Sequence, residues 1–386
     1  MKITAVICEL SPFHFGHEYL FRRVKEESDA LIAIMSGGFT ERGEVGIISK
    51  YARARAALSG GADLVLELPF PFSMSGAEKF ALGGVDIARS LGCVDEIAFG
   101  SETGDVGAIT QAAARLSSPE FSRALAAKTG TRHSEPYGAM YFDTYRELYG
   151  DAALSGSNDI LAVSYAKRLI ETGAKIKLRA LRREGKNFAG EGDGFYSASE
   201  IRCVILSGGD YARLLPDYSA QEIASAVSDG AIYDTERLYA PLAAIYRLSD
   251  TSGFSSAYES SDELYNRIKS AFADSCSFSD VVERAAAKSC SPSKVRRAMI
   301  FAALGVTGWD VQKVSYTTVL GANKTGCEIL RSIKKTAKID VVTKPADYSS
   351  HAYSLAGKAE ALVALARKRP APAGEMMKMS PVIIEE

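Results

Sequence analysis

Two histidines three residues apart stand in Leu10-Ser-Pro-Phe-His-Phe-Gly-His17, directly after the apolar run Ile3-Thr-Ala-Val-Ile-Cys8. At the start of a helix, His14 and His17 share one face, and Gly16 lets a ligand approach the backbone. The free N–H groups of such a terminus, with two imidazoles, make an anion site suited to nucleotide phosphates as charge builds during displacement. The same spacing also fits a pair of capping or surface histidines. Neither a Gly-x-Gly-x-x-Gly fingerprint nor a Walker loop occurs in a suitable strand-to-helix context. A second helix entry, Phe195-Tyr-Ser-Ala-Ser-Glu-Ile-Arg202, places two hydroxyls before the first turn and an arginine on it. Alone, Ser197 or Ser199 reads as an N-cap, with Glu200 a favourable first-turn charge. Joined to the histidine pair, the segment completes a phosphate clamp of hydroxyl, N–H and guanidinium donors.

Positioning these groups requires strands. Apolar β-prone runs begin at Ile3, Ala30, Asp63 and Asp95, with helical periodicity between them over 16–28 and 49–59. This is the rhythm of βα units, hence an α/β fold with a mostly parallel sheet covered on both faces. Such a sheet binds ligands at the carboxyl ends of its strands, where the loops after strands one, two and four gather. A helix is expected over 158–171, a strand over 175–180 and a helix opening near Ser199. From about Asp210 to Ile300 helical periodicity dominates. A strand over 338–342 and a helix over 354–367 follow. The spans read as 1–207, 208–335 and a C-terminal α/β extension over 336–386.

The chain has 386 residues, with 46 Lys plus Arg against 47 Asp plus Glu, so no global basic field advertises nucleic acid. Charge is local instead. Between Ile160 and Gly190 eight basic residues face two acids, and from Asp210 to Arg267 ten acids face four arginines. Basic character returns at Lys288, Lys294, Arg296 and Arg297, then at Arg331, Lys334, Lys335 and Lys338. Six cysteines without a Cys-x-x-Cys pair, and only four histidines, exclude an evident zinc cluster. They read as free, mostly buried thiols in a reducing cytoplasm, and the first residues lack the features of a secretory signal. The apolar stretch over 298–309 is shorter than the roughly 18 residues of a membrane span.

His14-Phe-Gly-His17 with Ser197-Ala-Ser-Glu-Ile-Arg202 resembles the HxGH and ISSTxxR signatures of the nucleotidyltransferase superfamily. The segments 35–44, 61–72, 99–102, 157–162 and 197–202 resemble, in the same order, bacterial tRNA(Met) cytidine acetate ligases, strongly over residues 1–205 and more thinly beyond. The resemblance implies a Rossmann-like nucleotidyltransferase domain over 1–207 and a mainly helical tRNA-binding domain over 208–335. It also implies a two-step reaction: acetate and ATP give acetyl-adenylate, and the acetyl group passes to N4 of the wobble cytidine of elongator tRNA(Met). By the same resemblance, His14, Gly16 and His17 cradle phosphates, and Gly100 and Asn158 contact ATP. Arg183, Ser197 and Arg202 neutralise it, while Ile7, Pro12, Phe13 and Leu20 line the nucleotide. Mg²⁺ accompanies ATP, and no membrane is involved.

The family has Asn where this chain has Ser11 and Phe15; Ser11 keeps a hydroxyl, and Phe15 is expected to point inward. A carboxylate attacking phosphorus needs no proton removed, so the first step calls for positioning and charge neutralisation. Glu9, Glu41, Glu44 and Asp63 read as structural or solvated carboxylates ahead of metal partners. The basic runs read as solvated faces or, under the resemblance, as a track for tRNA phosphates that includes Arg296 and Arg297. A cofactor adenylyltransferase, or a non-catalytic RNA-binding protein on the same fold, remain the rival readings.

Overall fold

The computed structural model describes residues 1–131, 137–150, 156–182 and 196–385. In β1 (Ile3–Cys8) alternate residues diverge: Ile3, Ala5 and Ile7 enter one apolar cluster, Val6 and Cys8 another. The same two-sided burial holds in β2 (Ala30–Ser36), β3 (Leu64–Leu68) and β4 (Glu96–Ser101), which explains their near-continuous apolar sequence. With β5 (Lys177–Arg182), β6 (Tyr316–Ala322) and β7 (Asp340–Val342) they form a sheet in the order β5-β4-β1-β2-β3-β6-β7. The short β8 (Val382–Ile383) also pairs with β6. Strands β1 to β5 are mutually parallel, whereas β6 runs antiparallel to β3.

The helices Phe15–Lys25 and Lys50–Ser59 cover one face through Phe21, Val24, Tyr51 and Ala54. Ala77–Leu91, Val106–Leu116 and Ser157–Thr172 cover the other through Phe80, Val85, Ile109 and Tyr165. Because β1 is flanked by β2 on one side and β4 on the other, the connections reverse direction there. A crevice opens at the carboxyl ends of β1 and β4. The α/β class and the strand rhythm therefore match the expectation.

A separate apolar cluster gathers the helices Tyr239–Leu248, Asp262–Asp274, Phe278–Ala285 and Pro292–Leu304, with Tyr246 and Phe272 stacked at 4.5 Å. The helix His351–Leu365 joins it through Leu355, Leu362 and Val363. Helical character over 208–335 ends earlier than expected. After Leu304 the chain returns to the sheet as β6, and the helix Lys324–Thr336 packs Ile329 and Ile333 against the sheet's own core. The run Tyr316-Thr-Thr-Val319 carries β-branched residues, but its partner strand lies some 250 residues earlier, beyond the reach of local pattern. Among the described residues no helix is long and apolar enough to cross a membrane. All six cysteines are free thiols, but only Cys8 and Cys290 are buried, and Cys203 and Cys276 are exposed.

Candidate active site

The connection after β1 delivers the histidines. Leu10, fully buried, adopts a positive φ of 51°, a strained conformation for a branched side chain and of the kind that clusters at functional sites. His14 then caps the Phe15–Lys25 helix. Its Nδ1 accepts the Gly16 N–H at 3.0 Å, and His17 Nδ1 accepts the His14 N–H at 3.3 Å. Capping and phosphate binding are thus compatible readings of one geometry. With each Nδ1 acting as acceptor, the neutral rings carry their protons on Nε2, a donor of the kind that suits an anion. The two rings lie 3.8 Å apart.

Opposite them, Ser197 caps the Ala198–Leu206 helix in a reciprocal box with Glu200, at 2.7 and 3.3 Å. Arg202, on the second turn of that helix, donates to the Ser11 carbonyl at 2.9 Å, to Glu44 at 2.8 Å and to the Ser199 hydroxyl at 3.2 Å. Three of its five N–H groups are thereby committed, two of them to joining this helix to the β1 connection and to the loop after β2.

These elements enclose a cavity of about 690 Å³ at the carboxyl ends of β1, β4 and β5. Ile7, His14, Gly16, His17, Leu20, Gly100, Asn158, Ser197 and Arg202 all line it. Two expected nucleotide contacts do not. The Phe13 ring is buried against Phe21 and Tyr218, and Pro12 forms the turn behind the wall. Phe15, expected to point inward, is half-buried. Arg183 lies outside the described residues. Asn158 is held by Glu102, which accepts its side-chain amide at 2.6 Å and its backbone N–H at 3.2 Å, while Asp159 accepts from Ser101 and from the N–H groups of Glu102 and Thr103. This reciprocal cap ties the Ser157–Thr172 helix to the end of β4.

The carboxylates divide by role. Asp63 accepts from Lys25, Leu31 and Asn323 and is structural. Glu44 pairs with Arg202 and Arg296, and Glu41 with Arg297. Glu9 faces the cavity at the end of β1, where burial among strand ends, reinforced by Glu41 and Glu44 and opposed by Arg202, pushes its carboxyl up to about 7. Tyr165 also lines the cavity. Its signal was present in the sequence: Asn158, Leu161 and Tyr165 share one helix face at i, i+3 and i+7, and all three line the wall.

The loop after β2 is clamped from below and from the side. Buried Lys50 lies 2.7 Å from Glu67 and 3.1 Å from Glu360, and Glu360 accepts the Gly38 N–H at 3.2 Å. Gly43 has a φ of 72° and sits so close to the Pro292–Leu304 helix that a Cβ there would meet Arg296 at 2.8 Å. Arg296 donates to the Arg42 carbonyl, and Arg297, 8% exposed, pairs with Glu259 at 2.9 Å and with Glu41. The phosphate-track expectation for these two arginines gives way to a structural role that local charge counting could not see. Lys167, Arg168 and Arg179 in the earlier basic run are likewise ion-paired, to Glu78, Asp86 and Glu27. Arg42 and Arg182 stand exposed at the cavity rim.

A family model of HIGH nucleotidyl transferases matches residues 1–376. The tRNA(Met) cytidine acetate ligase of Fervidobacterium nodosum is 31% identical over 362 residues, covering 90% of this chain and 85% of that protein. The same-named protein of Limosilactobacillus reuteri is 32% identical over 353 residues, covering 89% and 90%. The crystal structure of Thermotoga maritima TmcAL bound with alpha-thio ATP superposes with a TM-score of 0.90 at 26% identity, each chain covered completely. A histidine clamp at the carboxyl end of a parallel sheet, matched along nearly the whole chain, places this protein in the HIGH nucleotidyl transferase family, among the tRNA(Met) cytidine acetate ligases.

Proposed function

We propose that the protein is an ATP-dependent ligase that activates acetate as acetyl-adenylate and transfers the acetyl group to N4 of the wobble cytidine of elongator tRNA(Met). The observation that carries this reading is the pairing of His14 and His17 with Ser197 and Arg202 across one cavity at the sheet's switch point. In the first step the acetate carboxylate attacks the α-phosphorus and pyrophosphate leaves. The Nε2–H groups, the helix N-terminus and the remaining Arg202 donors stabilise charge growing on the phosphates. Gly100 and Asn158, both on the cavity wall, would contact the nucleoside. Mg²⁺ would enter with ATP, held mainly by phosphate and water, which suits a site whose described residues contain no cluster of three metal-ligating side chains. On this reading residues 1–207 carry the ATP chemistry, and the helical residues from 208 onward serve tRNA. Arg42 and Arg182 at the rim supply charge to its backbone.

The test is to incubate protein, ATP and labelled acetate with a tRNA(Met) transcript carrying C34 or U34. Label is expected only in the C34 transcript, accompanied by pyrophosphate release. ATP turnover that ignores acetate, or label in neither transcript, would sink the proposal.

A further inference from the structure

Two groups on the cavity wall have no task in acetate activation. The Tyr165 side chain is 1% exposed and lines the cavity, yet its hydroxyl has no hydrogen-bond partner among the described residues. Burial drives this phenol far above its ordinary range, and Cys8, Glu9 and Glu41 are the titratable neighbours that add to the effect. A buried donor without an acceptor is costly to keep, so its presence in a cavity wall points to a ligand acceptor. Glu9 presents the complementary group. One carboxylate oxygen accepts the Glu41 N–H at 2.6 Å, while its backbone carbonyl is fixed by Arg53 at 2.7 Å. The other carboxylate oxygen has no partner among the described residues.

A hydrogen-bond acceptor and a buried donor on one cavity wall do not suit a phosphate, least of all with Glu41 and Glu44 near the acceptor. It suits a neutral base edge on which a donor and an acceptor sit side by side. Cytosine offers N4–H₂ next to N3 in that order, whereas uracil offers the reverse and would set acceptor against acceptor at Glu9. We propose that Glu9 and Tyr165 form the acceptor subsite of the second step, with the Glu9 carboxylate taking the proton of the attacking N4 amine and the Tyr165 hydroxyl donating to N3. This deepens the ligase reading and rests on it.

The step balances without any further reactant. N4 attacks the acetyl carbonyl carbon, a C–N bond forms, and the C–O bond of the mixed anhydride breaks with its electron pair leaving on AMP. The N4 proton passes to Glu9 and then to water. The lone pair of N4 is delocalised into the ring, so the proton must leave as the bond forms, which is the demand a positioned carboxylate meets. Position also fits. Glu9 directly follows β1, five residues before His14, and Arg202 grips the intervening Ser11 carbonyl, so base and phosphate clamp belong to one rigid connection. The groups facing Glu9 are Glu41 and Glu44 from the loop after β2, Arg202 from the Ala198–Leu206 helix, Arg53 from the Lys50–Ser59 helix, and Tyr165 and Cys8.

The test separates the half-reactions on the full chain. Acetate-dependent ATP–pyrophosphate exchange without tRNA reads the first step, and single-turnover transfer of labelled acetyl to a tRNA(Met) transcript reads the second. In Glu9→Gln, which keeps an acceptor for the Glu41 N–H, the ratio of transfer to exchange should fall at least ~10²-fold, the usual contribution of a general base. The wild-type transfer rate should rise with pH through about 7 as Glu9 ionises, and the variant should lose that rise. In Tyr165→Phe the ratio should fall ~10-fold, the weight of one hydrogen bond, with the pH rise retained. Equal loss of exchange and transfer in both variants, or normal transfer in Glu9→Gln, overturns the assignment while the ligase reading stands. Wild-type protein that exchanges pyrophosphate yet labels no tRNA overturns both.

Discussion

Two cavities of comparable volume open at opposite ends of the sheet, and the amino-end one is chemically the quieter. The amino-end cavity, about 790 Å³, is lined by Met1, Lys2, Arg89, Asp95, Lys175 and Lys177 among others. Its carboxylates are committed to holding strand starts: Asp95 accepts the Ile3 N–H at 2.8 Å, and Glu96 takes the Thr4 hydroxyl and Lys2. The carboxyl-end cavity, about 690 Å³, keeps unfilled capacity in Tyr165 and Glu9 beside two imidazoles whose Nδ1 atoms are locked as acceptors. Volume does not mark a site; buried polar groups left short of partners do.

The contrast can be broken most forcefully through what props up the carboxyl end. Arg297→Ala strands Glu259 and Glu41 in a desolvated setting and should cost about 3–5 kcal/mol, the usual penalty for removing one partner of a buried pair. Chemical denaturation reads that loss. The salt slope of tRNA binding per folded molecule should stay as in wild type, and a shallower slope would restore Arg297 to a phosphate track. Next in size, His17→Ala should lower acetate-dependent ATP–pyrophosphate exchange by ~10²–10³, as removal of a preorganised donor does. Near-normal exchange would remove the clamp from the carboxyl end.

The pH dependence of stability gives a smaller but more specific signal. Glu9 is raised from 4.5 to about 7, so between those values the folded state binds the proton that the unfolded state has released. Stability from this group is therefore full below about 4.5 and falls as pH rises toward about 7. Melting curves of wild type and Glu9→Gln should coincide at the acid end and separate with rising pH, the variant melting higher; parallel curves would place Glu9 in ordinary solvent. The smallest effect belongs to the amino end. Lys175→Ala with Lys177→Ala should change stability by less than about 0.5 kcal/mol and exchange by less than about twofold, as surface substitutions do. A larger fall in exchange would show that the quiet end is not quiet.

Much of the site is legible because it is local. Residues His14 to His17 fold into a capping box within one turn, and Ser197 to Glu200 do the same. Strand rhythm is legible too, since two-sided burial demands an unbroken apolar run in each of β1 to β4. Local charge counting, by contrast, misassigned Arg296 and Arg297. A run of like charge says nothing about whether a carboxylate 38 or 256 residues away has been brought against it.

The sequence by itself determined where helices begin, which residues alternate across the sheet and which imidazoles meet, because those outcomes depend on spacings of two to four residues. Only the tertiary structure decided that Arg202 reaches back 191 residues to the Ser11 carbonyl and that β6 closes the edge of β3. It alone placed Tyr165, its hydroxyl without a hydrogen-bond partner among the described residues, on the same cavity wall as Glu9. Desolvation and ion pairing are properties of a neighbourhood, and that neighbourhood is assembled from segments that share no local signal.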